Sequence, residues 1–176
     1  MDESTSRHPS AHGKDKARDL RETNSSPSAE AGHSIFECAE RYSRMGLGVI
    51  PVSYAGKHPI VKWEQYQHRR ANEIELNEWF GNGQPRNVGI VCGRVSNNLV
   101  VLDFDKPESY ERFFNTANLE SETPVVKTAR GFHVWLQTIE PVRSFVVGEL
   151  GLDVIGEGKF ILARLVDTLL VFCTRS

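Results

Sequence analysis

The stretch Val100-Val101-Leu102-Asp103-Phe104-Asp105 predicts a short buried strand that ends in two carboxylates. Valine, leucine and phenylalanine are typical of strands, and the polar turn Ser96-Asn97-Asn98 and the pair Lys106-Pro107 bound the stretch. Because side chains alternate between the two faces of a strand, Asp103 and Asp105 point the same way. The stretch therefore places two like charges side by side at the end of an apolar strand.

These two carboxylates allow two interpretations. Their mutual repulsion and the cost of removing both from water would be relieved by a bound divalent cation, and Mg²⁺ or Mn²⁺ prefers carboxylate oxygen. Alternatively, the strand ends at Asp103, and both carboxylates lie in a solvated loop. The hexamer by itself does not decide between a metal site and a solvated loop, so the decision depends on the surrounding chain.

The composition is that of an ordinary single globular domain. Of its 176 residues, 39% are hydrophobic and 25% are charged. The formal net charge of −2 excludes a strongly basic nucleic-acid-binding protein, so any DNA contact would use a local patch. No apolar run approaches the ~18 residues of a membrane span, and no secretory leader opens the chain. This composition predicts no membrane contact, and widely spaced cysteines without a CxxC pair predict a reduced, cytoplasmic protein.

The first 33 residues lack the apolar periodicity of a folded segment. Serine and charged residues dominate them and cannot bury enough surface to offset chain entropy, so we expect residues 1–33 to form a disordered tail. The folded domain is expected over residues 34–163. It opens with a helix at Ser34, because Ser34 and Glu37 have the spacing of a capping box, and Gly46 supplies the stop.

Beyond this helix, the apolar pattern alternates between helices and strands and then turns to hairpins. The turn Ala129-Arg130-Gly131 joins two strands, and Gly156-Glu157-Gly158 is expected to turn one strand back into the last. This order predicts an α+β fold with a mixed or antiparallel sheet. The predicted strands cover residues 48–52, 87–93, 100–105, 125–128, 132–136, 151–155 and 159–162, and the predicted helices cover residues 72–80 and a segment from 107 with core residues Tyr110, Phe113, Phe114 and Ala117.

Seven short stretches stand out by their order and spacing along the chain. They are GVIPV at 48–52, Lys57 with Pro59 and Lys62-Trp63, Trp79-Phe80, NVGIVCG at 87–93, VLDFD at 101–105, TARGFH at 128–133 and GLDV at 151–154. Together they make residues 39–163 resemble the N-terminal catalytic domain of the bifunctional DNA primase/polymerase (Prim-Pol) family, within the archaeo-eukaryotic primase superfamily. The resemblance implies an RRM-like palm joined to a small N-terminal α/β unit.

The resemblance also implies a role for individual residues. Asp103 and Asp105 match the first acidic motif of the family, and Asp153 matches the third, so the three would form a two-metal site for Mg²⁺ or Mn²⁺. His133 lies in the second motif and would contact the triphosphate of the incoming nucleotide. The resemblance therefore assigns catalysis to Asp103, Asp105, Asp153 and His133. The residues it suggests for nucleotide binding are His133, Arg130, Thr128 and Lys57.

The function implied by the resemblance is that of a DNA primase/polymerase. Such an enzyme transfers nucleotides from nucleoside triphosphates to make or extend primers on single-stranded DNA, in the nucleoid or on a mobile element, with a replicative helicase as a further expected partner. One alternative is a replication-initiator nuclease on a related palm, which would need a His-hydrophobe-His pair and a catalytic tyrosine. The pair is absent from the sequence. The other alternative is a truncated, non-catalytic remnant that at most binds nucleotide.

The residues after Ala163 depart from the family's pattern. The Pro-Ser segment that the family carries next is missing, and residues 165–173 form an apolar run without turn signals. We therefore expect a C-terminally truncated domain with an off-pattern tail over residues 164–176, produced by a frameshift, an altered splice or an early stop. Without the missing strands, the face of the sheet behind Asp153 would be left partly uncovered. Burial of apolar surface contributes roughly 25 cal/mol per Å², so this loss would remove a large share of the about 5–15 kcal/mol that stabilises a domain. We therefore expect low stability and self-association through the exposed edge.

Overall fold

The structure is a computed structural model that describes residues 27–117 and 123–163, with side chains from residue 35 onward. Helices and strands are interleaved along these residues. Their bounds are α1 Pro27–Arg44, β1 Gly48–Ser53, α2 Glu73–Phe80, β2 Arg86–Val91, β3 Leu99–Phe104, α3 Pro107–Thr116, β4 Val125–Lys127, β5 Phe132–Gln137, β6 Phe145–Val147, β7 Leu152–Ile155 and β8 Phe160–Ala163. No helix among these residues is long and apolar enough to cross a membrane.

The strands form two sheets. One has three strands in the order β1-β2-β8, and the other has five strands in the order β4-β5-β3-β7-β6. Every ladder between these strands is antiparallel. The combination of helices with antiparallel sheets confirms the predicted α+β class, and the predicted hairpin at Ala129-Arg130-Gly131 is confirmed by the pairing of β4 with β5.

The last strand does not pair as predicted. The sequence indicates that residues 159–162 return along residues 151–155, but β8 pairs with β2 in the other sheet, with Ile161 opposite Ile90. The reason is that β7 already has a neighbour on each side, β3 and β6. Of these, β6 is a three-residue strand that the sequence pattern does not predict. The glycine-rich turn therefore carries the chain from the five-stranded sheet to the three-stranded one.

The helix bounds agree only in part with those predicted from the sequence. Helix α2 has the predicted bounds within one residue, whereas α1 begins at Pro27 and not at Ser34. Proline suits the first turn of a helix because its missing N–H would have no partner there. Residues 27–33 are thus helical, and the rest of the predicted tail, together with residues 164–176, lies outside the described residues. In α3, Phe114 is 51% exposed and is wrongly predicted as core, since its neighbour Phe113 packs against the sheet.

Two hydrophobic clusters lie on opposite faces of β3. Leu99 and Val101 belong to the cluster that joins α1, α2 and the three-stranded sheet. Val100, Leu102 and Phe104 belong to the second cluster, under α3. This alternation confirms the strand prediction and fixes the direction of Asp103. Its side chain continues the row of Leu99 and Val101 and emerges where that buried face ends.

A small ionic network stabilises the start of α2. The backbone N–H of Asn72 donates to Glu75 Oε2 at 2.9 Å, and Asn72 Oδ1 accepts the N–H of Glu75 at 2.9 Å, which completes a capping box. Arg69 donates to both carboxylate oxygens, at 2.7 and 2.8 Å, and the hydroxyl of Tyr66 donates to Oε1 at 2.7 Å. The hydrogen bond from Arg69, with further help from Asn72 and Tyr66, lowers the pKa of Glu75 to about 2.

Because of this network, we expect part of the free energy of unfolding to be lost in acid. The folded-state pKa of Glu75 is depressed, so its contribution is present above the unfolded value near ~4.3 and is lost as the pH falls toward about 2. We expect Glu75→Gln to lower the free energy of unfolding at pH 7 by about 1–2 kcal/mol, and this deficit to shrink below pH 4. Urea titrations between pH 7 and pH 2.5 measure the effect. Glu78→Gln, an exposed carboxylate of the same helix, is the matched control, and parallel pH profiles for wild type and Glu75→Gln would contradict the assignment.

Candidate functional site

One row of side chains crosses the five-stranded sheet near the end of β3. Asp103 lies opposite His133 of β5 on one side and opposite Asp153 of β7 on the other. The row continues to Val126 on β4 and Val146 on β6. Because directly opposite residues of an antiparallel pair share a face, the two carboxylates and the imidazole lie on the same side of the sheet. Three residues that are far apart in sequence thus become neighbours through the register.

Two side-chain contacts order the carboxylates at the end of β3. His133 Nε2 lies 3.2 Å from Asp103 Oδ1, and Arg130 Nη2 lies 3.1 Å from Asp105 Oδ1. The first pair is sheltered, with side chains 14% and 31% exposed, and the second is open to solvent, with side chains 74% and 57% exposed. An exposed ion pair contributes little to stability, so the contact of Arg130 mainly orients two groups at the rim of the site.

The turn between β4 and β5 brings Arg130 to this position. Thr128 Oγ1 accepts the N–H of Gly131 at 3.0 Å, and the N–H of Thr128 donates to the carbonyl of Gly131 at 2.8 Å. Gly131 is buried against the end of β3, and a Cβ at this position would overlap the carbonyl oxygen of Phe104. Only glycine allows two backbones to approach so closely. The turn over residues 128–131 therefore packs closely against the end of β3.

A cavity of about 430 Å³ opens beside these residues. Strands β2, β3, β5 and β8, the loop after β1 and the β4–β5 turn contribute to its wall. Leu162 and Ala163 form an apolar part of the lining. The polar lining consists of Lys57, Asn87, Asp103, Asp105, Thr128, Arg130 and His133. The structure thus brings together six of the seven residues that the sequence suggests for the site.

The seventh residue, Asp153, stands apart. It is exposed and does not line the cavity, although its strand position is directly opposite Asp103. Within residues 27–117 and 123–163, no group of three or more histidine, cysteine, aspartate and glutamate side chains converges closely enough to hold a metal ion. Asp103 instead contacts His133, and Asp105 contacts Arg130. Carboxylate oxygens nevertheless fit a hard divalent cation in chemical type.

One polar residue of the cavity is not among the residues that the sequence suggests for the site. Asn87, at the start of β2, donates from Nδ2 to the carbonyl of Ser53 at 2.9 Å and to the carbonyl of Tyr54 at 3.2 Å. The signal in the sequence is an amide at the head of an otherwise apolar strand. That signal is weak, because a strand end commonly carries a polar residue, and only the structure shows that the strand begins at the cavity.

The charges of the cavity are suited to two kinds of ligand at once. The carboxylates of Asp103 and Asp105 would attract a divalent cation, whereas Lys57 and Arg130 would attract an anion, and His133 adds hydrogen-bonding capacity. A polyphosphate that carries a bound divalent cation needs both types of group within a few ångströms. The cavity therefore presents both types of group together, with Arg130 beside Asp105 and His133 beside Asp103.

A protein-family model matches the part of the chain that contains this cavity. The family model described as bifunctional DNA primase/polymerase, N-terminal, matches residues 39–165, well over half of the chain. Every residue that lines the cavity lies inside this range. Among the curated proteins, no relative matches the chain. The family match confirms the resemblance carried by the seven short stretches, and the chain belongs to the Prim-Pol family of bifunctional DNA primase/polymerase N-terminal domains.

Proposed function

We propose that this chain is the catalytic domain of a metal-dependent DNA primase/polymerase. It would transfer nucleotides from nucleoside triphosphates to primer ends on single-stranded DNA. The observation that carries the proposal is the cavity in which the carboxylates of Asp103 and Asp105 lie beside Arg130, His133 and Lys57. In this reading, the five-stranded sheet is the RRM-like palm, and the three-stranded sheet with α1 and α2 is the smaller unit.

Asp103, Asp105 and Asp153 are the proposed ligands of Mg²⁺ or Mn²⁺. When bound, such ions lower the pKa of the attacking 3′-hydroxyl and neutralise charge on the triphosphate and the leaving group. Asp153 is opposite Asp103 in the register, and Asp105 follows the end of β3 and lines the cavity with Asp103.

His133, Arg130 and Lys57 are the proposed partners of the triphosphate. His133 is the most sheltered of the three, and its contact with Asp103 restricts the orientation of the imidazole. A restricted donor beside the reacting phosphate stabilises developing charge without reorganisation at the moment of reaction. Arg130 can place two parallel N–H groups on phosphate oxygens, and Thr128 holds the turn from which Arg130 extends.

A primer-extension assay tests the proposal directly. The purified chain is incubated with a primed single-stranded template, deoxynucleoside or ribonucleoside triphosphates, and Mg²⁺ or Mn²⁺. Extension that requires both the nucleotide and the metal, and that chelator abolishes, is the expected result. Nucleotide binding without any extension under all of these conditions would overturn the catalytic proposal and favour the non-catalytic remnant.

We further expect His133→Ala to impair nucleotide use more than DNA binding. Removing one hydrogen bond to a charged phosphate corresponds to about a tenfold rise in the apparent KM for nucleotide. Affinity for single-stranded DNA should stay within about twofold, since the substitution leaves every lysine and arginine that could neutralise a DNA phosphate in place. Steady-state extension kinetics and fluorescence anisotropy with labelled DNA provide the two readouts. His68→Ala, an exposed histidine away from the cavity, is the control, and a loss of DNA affinity with unchanged KM would refute the role.

A further inference from the structure

The side chain of Asn87 joins the loop that carries Lys57 to strand β2. This loop follows β1, and the carbonyl groups where it begins belong to Ser53, the last residue of β1, and to Tyr54. Both accept hydrogen bonds from the same Nδ2 atom of Asn87, at 2.9 and 3.2 Å. Inside the loop, the N–H of Gly56 donates to the carbonyl of Ser53 at 3.3 Å. The carbonyl of Ser53 is therefore shared between the turn of the loop and the amide of Asn87.

We propose that Asn87 is a positioning residue that holds this loop so that Lys57 stays at the wall of the cavity, where it meets the phosphates of a nucleotide. The inference rests on the proposed function, because it takes the nucleotide as the occupant of the cavity. Asn87 and Lys57 line the same cavity from two different segments. Asn87 is fastened in turn to the β1–β2 ladder, where it lies opposite Val52.

Backbone hydrogen bonds hold the far side of this loop on β1, where the N–H of Ser53 donates to the carbonyl of His58 at 3.0 Å. Asn87 holds the near side, at the carbonyls of Ser53 and Tyr54, and both supports order the backbone that carries Lys57. The side chain of Lys57 is exposed, and none of the hydrogen bonds and ion pairs among the described residues involves its ammonium group. A lysine has four rotatable bonds and loses considerable side-chain freedom when it binds a phosphate. A loop backbone that is already ordered removes one part of this entropic penalty, so anchoring the loop favours nucleotide binding without any contact between Asn87 and the nucleotide.

An uncharged amide is well suited to this task. Its nitrogen carries two hydrogens and can donate to two carbonyl oxygens at once, and it has no charge that would need a partner in a part-buried place. A carboxylate at the same position would direct an oxygen at the two carbonyl oxygens and repel them. Asn87→Asp therefore removes both hydrogen bonds at nearly constant size, and Asn87→Ala removes the side chain altogether.

A double-mutant cycle separates positioning from direct contact. The variants are Asn87→Asp, Asn87→Ala, Lys57→Ala and the combination of Lys57→Ala with Asn87→Ala, all assayed in primer extension. We expect each single variant to raise the KM for nucleotide by about three- to tenfold with kcat within about twofold, and the double variant to be no worse than Lys57→Ala alone. Effects that multiply in the double variant, or an unchanged KM in both Asn87 variants, would overturn the proposal.

Hydrogen exchange of the loop amides supplies a readout that does not depend on catalysis. Release of the anchor should speed exchange at the N–H of Gly56 by about tenfold in both Asn87 variants, because local opening no longer has to break the bonds to Ser53 and Tyr54. Asn82→Ala, which removes a surface asparagine beyond α2, should leave this exchange unchanged. Unchanged exchange in the Asn87 variants would overturn the positioning role of Asn87, whether or not the chain extends primers. If the wild type is inactive and the variants exchange faster, only the proposed function is overturned.

Discussion

Asp103→Asn should abolish metal-dependent nucleotide incorporation, with a loss of about a thousandfold or more, while the fold stays intact. Asp103 is the centre of the polar row, opposite His133 on one strand and Asp153 on the other. The amide has the size of the carboxylate, but it lacks the charge that would hold a divalent cation and the charge that orients the imidazole. Asp105→Asn should have the same effect, since Asp105 directly follows β3 and is the second carboxylate that lines the cavity.

Primer extension over a range of Mg²⁺ and Mn²⁺ concentrations measures this loss, and thermal unfolding checks the fold. Without metal, we expect either variant to unfold at the same temperature as the wild type or higher, because one of three like charges near the end of β3 is removed. Glu140→Gln removes an exposed carboxylate outside the cavity and should extend primers at the wild-type rate. Near wild-type extension by Asp103→Asn or Asp105→Asn would exclude these carboxylates as the metal site.

Gly131→Ala should be the most damaging substitution in the turn between β4 and β5. The added methyl group would overlap the carbonyl oxygen of Phe104, and this oxygen belongs to backbone that cannot rotate away as a flexible side chain could. Overpacking of this kind destabilises a protein by about 1–3 kcal/mol or more. The turn would also have to withdraw from β3 and take Arg130 with it, so we expect nucleotide incorporation to fall by about ten- to a hundredfold.

Urea unfolding and primer extension measure the two effects of this substitution separately. Gly148→Ala is the matched control, because a Cβ at Gly148 meets no heavy atom within 4 Å. Thr128→Val tests the same turn more mildly, since it removes the hydroxyl that accepts the N–H of Gly131 and leaves the volume nearly unchanged. If Gly131→Ala unfolded at the same urea concentration as Gly148→Ala, the close packing of the turn on β3 would have no energetic consequence.

Much of the site could be predicted from local sequence patterns. The alternation in VVLDFD placed Asp103 on the face opposite Leu102 and Phe104, and the structure has this arrangement. Asp105, predicted on the same strand, instead follows the end of β3 at Phe104 and lines the cavity with Asp103. The turn at Ala129-Arg130-Gly131 was predicted from its glycine and from the apolar runs on either side. Both features depend on neighbours within a few residues, where side-chain alternation and turn preferences determine the outcome. The family could also be predicted from the sequence, because the order of the seven stretches is a property of the chain itself and does not depend on how the chain folds.

The pairing of distant strands was decided by the tertiary structure. The hairpin predicted for β7 and β8 does not form, because β7 lies between β3 and β6, and β8 completes the sheet of β1 and β2. The positions of Asp153 and Asn87 depend on such pairings. The register opposite β3 puts Asp153 beside Asp103 but leaves it outside the cavity, and the ladder with β1 brings Asn87 to the loop of Lys57. An apolar strand can pair with any free edge of suitable length, so its partner is determined by the competition among all strands and not by its own residues.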